Sequence, residues 1–140
     1  GLCDIATSSL AVSPNQYGVL TFSADTLSYR TESVDVASWA ASRGCQNADL
    51  LHFAESSAAV FRNTCIRQAL DVIQEDEAPE QLADFFADVN AAYFAGRMDR
   101  CPIDAQLAAR WQRQSGFLAR YMESIVQEPP QNACEWTSGE

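Results

Sequence analysis

Apolar residues recur at steps of three and four along the chain from about residue 33 to residue 127. This spacing is typical of amphipathic helices, each of which buries one stripe. Gly44 fits a helix end, Pro79 fits a first turn, and Pro129 follows the last stripe. The pattern therefore predicts four helices, at about 34–43, 48–75, 79–98 and 103–127.

The first 32 residues follow a different pattern. The segment from Tyr17 to Ser23 is rich in strand formers, and the segment from Leu27 to Thr31 could pair with it across a short turn. The same stretch could also be an extended arm that lies on the helices. The sequence leaves both alternatives open.

Together these segments predict a mainly α fold, a small antiparallel bundle of about four helices stapled by disulfides. We expect a single domain over residues 1–140, with an irregular or hairpin arm at 1–32, the bundle at 33–127 and a polar tail at 128–140. No apolar stretch approaches the roughly 18–20 residues that span a bilayer, so we expect no membrane span.

Five cysteines are dispersed along the chain without the close spacing of a zinc or redox motif. Dispersed cysteines are typical of proteins from oxidising compartments, which predicts a periplasmic or extracellular location. Consecutive helices joined by short connections should run antiparallel, which places Cys45 and Cys101 at the same end of the bundle. We therefore predict the pairs Cys45–Cys101 and Cys65–Cys134, with Cys3 left over.

The formal net charge of −10 disfavours binding to nucleic acid, because an acidic chain repels the phosphate backbone. All nine basic residues are arginines. Arginine is favoured at protein interfaces and forms forked contacts with carboxylates. Several charged positions face outward on the last two predicted helices and form a possible partner surface: Arg110, Arg113, Arg120, Asp84 and Asp88.

Aromatic residues crowd the last two predicted helices. Phe85, Phe86, Tyr93 and Trp111 offer a wider apolar surface than a single stripe requires. Core packing explains such a set, and so does a pocket for a small apolar ligand between the helices.

His52 is the only histidine, and carboxylates at Asp49 and Glu55 flank it on the second predicted helix. An enzyme of unknown class could use this histidine as a general base near neutral pH. No Gly-rich phosphate loop or metal-binding motif occurs, so we expect no cofactor and no metal.

These observations favour a non-catalytic interaction protein of the inhibitor, immunity or effector type, whose partner is another protein. A carrier of a small apolar ligand and an enzyme that uses His52 are the alternatives. The oligomeric state is left open.

Overall fold

The computed structural model describes residues 9–74, 77–128 and 130–138. These residues contain three strands, β1 (Gln16–Phe22), β2 (Leu27–Ser33) and β3 (Glu135–Thr137). They also contain a 3-10 turn at Met98–Arg100 and six α-helices: α1 (Val36–Ser42), α2 (Ala48–Leu51), α3 (Phe53–Leu70), α4 (Pro79–Phe94), α5 (Ala105–Gln112) and α6 (Phe117–Gln127).

The N-terminal strands form an antiparallel hairpin, which is the first of the two alternatives that the sequence leaves open. Phe22 pairs with Leu27, and Ser23 N donates to Thr26 O (2.9 Å) to close the turn. The tail completes the sheet, because β3 pairs with the outer side of β2 in the order β1-β2-β3. Trp136 thereby lies opposite Tyr29, more than 100 positions earlier in the chain.

Helix α4 lies at the centre of the core and is buried around most of its circumference. It begins at Pro79, whose fixed φ and missing N–H suit the first helical position. Helix α3 packs along it through Cys65 and Ala69, and α5 and α6 cover it from other sides. The buried positions of α4 are Leu82, Ala83, Phe85, Phe86, Ala87, Val89 and Asn90.

Two of the four predicted helices are each divided in two. The predicted helix at 48–75 breaks at His52, where φ −119° and ψ 41° leave the helical region between α2 and α3. The predicted helix at 103–127 breaks at Gly116, whose φ of +92° favours glycine and separates α5 from α6. At the start of α1, Asp35 is the cap, since its carboxylate accepts from Ser38 N (2.9 Å).

The mainly α fold class is wrong, because the described residues combine six helices with a three-stranded antiparallel sheet. The sheet needs three segments from opposite ends of the chain, and the third has only three residues. A three-residue strand in a polar tail carries no periodic signal, so the pattern of the tail could not reveal it.

The disulfide staples are also wrong: within the described residues the four predicted partners are free thiols. Cys65 is buried and accepts a hydrogen bond from Asn90 Nδ2 (3.2 Å), whereas Cys134 Sγ donates to Ala95 O (2.9 Å). Cys45 and Cys101 follow α1 and the 3-10 turn respectively. The predicted pairing assumed one straight helix over 103–127, and the break at Gly116 removes that assumption. Cys3 lies outside the described residues.

No helix in the described part of the chain is long and apolar enough to cross a membrane. The single-domain organisation stays a prediction.

Candidate functional site

A polar cleft of about 650 Å³ lies between the turn that precedes α4 and the end of α5. Two of the predicted arginines, Arg110 and Arg113, line it. The other lining residues are Gln74, Glu77, Ala78, Gln81, Gln114 and Ser115.

Hydrogen bonds between the two walls hold the cleft in shape. Arg110 Nη2 donates to Ala78 O (2.9 Å), and Gln74 N donates to Gln114 Oε1 (2.8 Å). Behind the cleft, the Trp111 side chain anchors α5 on α4, since its Nε1 donates to Leu82 O (2.9 Å). Arg110 in α5 and Arg113 directly after it are therefore held by a helix that is fixed against the core.

Arg120 lies in an adjoining groove of about 220 Å³ at the start of α6. The groove and the cleft share Gln114 and Ser115, so the three predicted arginines surround one corner of the molecule. We call this region, formed by Arg110, Arg113 and Arg120 around Gln114 and Ser115, the arginine corner. The turn at Gly116 creates it by redirecting the chain between α5 and α6.

The two predicted aspartates do not line the cleft. Arg62 of α3 lies between them: its Nη2 is 2.7 Å from Asp84 Oδ1, and its Nη1 donates to Asp88 Oδ1. The aspartates therefore link α3 to α4 on the surface. One weak signal for this ion pair was visible in the sequence, because Arg62 falls off the apolar face of its helix.

Three of the four predicted pocket aromatics belong to the packed core. Phe85, Phe86 and Trp111 are 7%, 1% and 1% exposed, and the Phe86 and Trp111 rings lie 5.2 Å apart. Tyr93 is half exposed and borders a cavity of about 80 Å³. Ligand sites usually enclose about 300–1,000 Å³, so this cavity adds no support for an apolar carrier, which stays a prediction.

His52 is exposed at the junction of α2 and α3. The neighbouring Asp49 Oδ1 accepts a 3.4 Å hydrogen bond from Ser56 Oγ, and Glu55 is exposed in the first turn of α3. Among the described residues, no three histidine, cysteine or carboxylate side chains are grouped to hold a metal ion. A catalytic role for His52 stays a prediction.

A chain of two hydrogen bonds, one buried and one partly buried, crosses the core and was not predicted from the sequence. Tyr121 Oη donates to Asn90 Oδ1 (2.6 Å), and Asn90 Nδ2 donates to Cys65 Sγ (3.2 Å). Burial raises the pKa of Tyr121 to about 12 and also raises the pKa of the Cys65 thiol. The available signal was a polar residue at position 90, which continues the i, i+4 row of Leu82 and Phe86.

A family model described as the C-terminal domain of cyclic nucleotide phosphodiesterase matches residues 35–132. The match includes all six helices and the arginine corner, while the three strands lie outside it. Among curated proteins, none matches the chain.

Proposed function

We propose a function for this chain, which belongs to the family of the C-terminal domain of cyclic nucleotide phosphodiesterase. It is a non-catalytic protein-interaction domain. Its arginine corner holds an acidic segment of a protein partner. The observation that carries this proposal is the polar cleft lined by Arg110 and Arg113, with Arg120 beside it.

The chemistry of the cleft supports an acidic partner. A guanidinium group presents planar, paired donors that match a carboxylate, and it keeps its charge at any physiological pH. Among the described residues that line the cleft, Glu77 is the one carboxylate, and it lies there with Arg113. On a chain with a net charge of −10, the guanidinium groups of Arg113 and Arg120 would attract an acidic segment to this place.

The same cleft carries a second candidate function, which the description of the family favours. A cyclic nucleotide bears an anionic phosphate, and guanidinium groups bind phosphate as well as carboxylate. The cleft volume of about 650 Å³ falls within the usual range for small-molecule sites.

Binding measurements on the whole chain separate these candidates. Fluorescence anisotropy with a labelled glutamate-rich peptide tests the first candidate, and calorimetry with 3′,5′- and 2′,3′-cyclic nucleotides tests the second. We expect Arg113→Gln to weaken peptide binding roughly tenfold, because one charge-assisted hydrogen bond contributes about 1.5 kcal/mol. Arg43→Gln, the same change at an exposed position after α1, is the matched control.

The outcomes point in different directions. Binding of the peptide that depends on Arg113 supports the interaction domain, and binding of a nucleotide that depends on Arg113 supports the second candidate. Equal losses in the two variants would show only a general charge effect and would contradict both. The periplasmic or extracellular location is part of the first proposal, and fractionation of cells that express the protein tests it.

A further inference from the structure

An exposed aromatic side chain borders the arginine corner. Phe117 is the first residue of α6 and directly follows Gly116, which lines the same groove as Arg120. Residues three positions apart are neighbours on the surface of a helix, with about 5–6 Å between their Cβ atoms, so Phe117 lies beside Arg120. Phe117 is 72% exposed, and a large apolar surface therefore adjoins the guanidinium groups of the corner.

Neither core packing nor helix formation accounts for a phenylalanine at this position. The buried face of α6 consists of Ala119, Met122 and Ile125, and Phe117 lies outside it. Aromatic residues have only moderate helix propensity, so the first position of α6 does not require one. The exposed ring is available for contact with another molecule.

Ring contacts hold Phe117 in place. Its ring and that of Tyr121 are nearly parallel, at 12°, with centroids 6.1 Å apart. The Tyr121 ring meets Tyr93 edge-on at 6.2 Å, and both arrangements are preferred between aromatic rings. We call the surface formed by Phe117, Tyr121 and Tyr93 the aromatic ledge. A ring that is already ordered loses little conformational entropy when a partner covers it.

The charges beside the ledge have no counter-ion within the described residues. Acidic residues outnumber basic ones by 19 to 9, and Arg62 on α3 pairs with two aspartates. In the same part of the chain, neither Arg113 nor Arg120 forms an ion pair. Glu123 lines the same groove as Arg120, but its Oε1 accepts a hydrogen bond from Gln127 Nε2 (3.0 Å). Guanidinium groups without an internal partner attract carboxylates from another molecule.

We propose that the arginine corner and the aromatic ledge act as one surface, which binds a segment of a partner protein in which acidic and apolar residues alternate. Arg113 and Arg120 hold carboxylates of that segment, and Phe117 covers an apolar side chain beside them. Arginine and aromatic residues are the types that most often dominate binding at protein interfaces. This inference rests on the proposed interaction function and adds that the partner is recognised by apolar contact as well as by charge.

Two peptides of equal length and charge test the inference on the intact protein by fluorescence anisotropy. One alternates glutamate with leucine, and the other alternates glutamate with serine. We expect the wild type to bind the leucine peptide roughly tenfold more tightly, because a leucine side chain leaves water against the Phe117 ring. Phe117→Ser should remove this preference and leave binding of the serine peptide unchanged, whereas Arg113→Gln should weaken binding of both peptides.

Phe22→Ser is the matched control, because it makes the same replacement at a position that is 75% exposed on β1. This variant should keep the preference of the wild type for the leucine peptide. Urea unfolding of each variant shows that it remains folded.

The outcomes distinguish this inference from the proposed function. Equal affinity for the two peptides, with binding that depends on Arg113, would overturn the inference and leave the proposed function intact. A preference that survives Phe117→Ser would also overturn it, and so would binding of the leucine peptide that does not depend on Arg113. If neither peptide binds, the proposed function fails as well. Binding to phosphatidylglycerol vesicles in place of the peptides would overturn the inference in favour of an anionic lipid surface.

Discussion

The hydrogen-bond chain that runs from the partly buried Tyr121 through Asn90 to Cys65 allows a test by double-mutant cycle. Asn90 is 7% exposed and is the only polar residue among the buried positions of α4. Asn90→Leu keeps a similar volume but removes the acceptor of Tyr121 Oη, and Tyr121→Phe removes the hydroxyl itself. The two changes affect opposite ends of one 2.6 Å hydrogen bond.

The expected magnitudes follow from the cost of unpaired buried groups. A buried polar group that loses its partner costs about 1–3 kcal/mol, whereas removing both partners can be nearly neutral. We expect Asn90→Leu to lower the free energy of unfolding by about 1–3 kcal/mol and Tyr121→Phe by about 0.5–1.5 kcal/mol. The double variant should lose less than the sum, with a coupling of about 1 kcal/mol.

Urea unfolding, followed by far-ultraviolet circular dichroism, measures all four proteins of the cycle. Tyr93→Phe is the control, because it removes a hydroxyl from a half-exposed ring at the same α4–α6 contact. Effects that add within about 0.5 kcal/mol in the Asn90–Tyr121 cycle would refute the reasoning. Equal coupling of Asn90 to Tyr93 would refute it as well.

Three further predictions concern the core. Trp111→Ala should lower the free energy of unfolding by about 3–5 kcal/mol, because the side chain is 1% exposed. Urea unfolding measures this loss, and a value below about 1 kcal/mol would contradict the packing of Trp111 in the core. Burial raises the pKa of Tyr121 to about 12, so its ionisation opposes folding. The stabilising contribution is complete below the unfolded pKa of about 10 and is lost as pH rises through about 12, so Tyr121→Phe should flatten the alkaline fall in Tm. Cys65 is 2% exposed with a raised pKa, so peptide mapping should show it labelled by a thiol reagent only as fast as the protein unfolds, and rapid labelling of native protein would disagree.

Local patterns in the sequence determined where most of the helices form. The segment 79–98 was predicted as a helix from Pro79 and its apolar stripe, and α4 occupies Pro79–Phe94. The breaks inside the two longer predicted helices were not visible. An apolar stripe continues past a single residue such as His52 or Gly116, and only the backbone geometry shows that the axis changes there.

The candidate site was predicted in part. The three arginines were named from their outward positions, but the cleft exists because α5 is anchored on α4 and the chain turns at Gly116. Asp84 and Asp88 had the same outward signal, yet Arg62 from another helix pairs with both. An outward position determines that a charge is accessible, and it does not determine which charge from elsewhere in the chain lies beside it.

The sheet and the cysteines show most clearly which features follow from local sequence and which from the tertiary structure. Residue types made strands near residues 17–31 one of two open alternatives, because β-branched and aromatic side chains suit a pleated backbone. β3 can pair with β2 only because the helices return the tail to the hairpin. The thiols of Cys65 and Cys134 form hydrogen bonds instead of the predicted disulfide. The sequence by itself determined the local backbone preferences, and the tertiary structure decided the contacts between distant segments, since those depend on the direction in which every intervening helix runs.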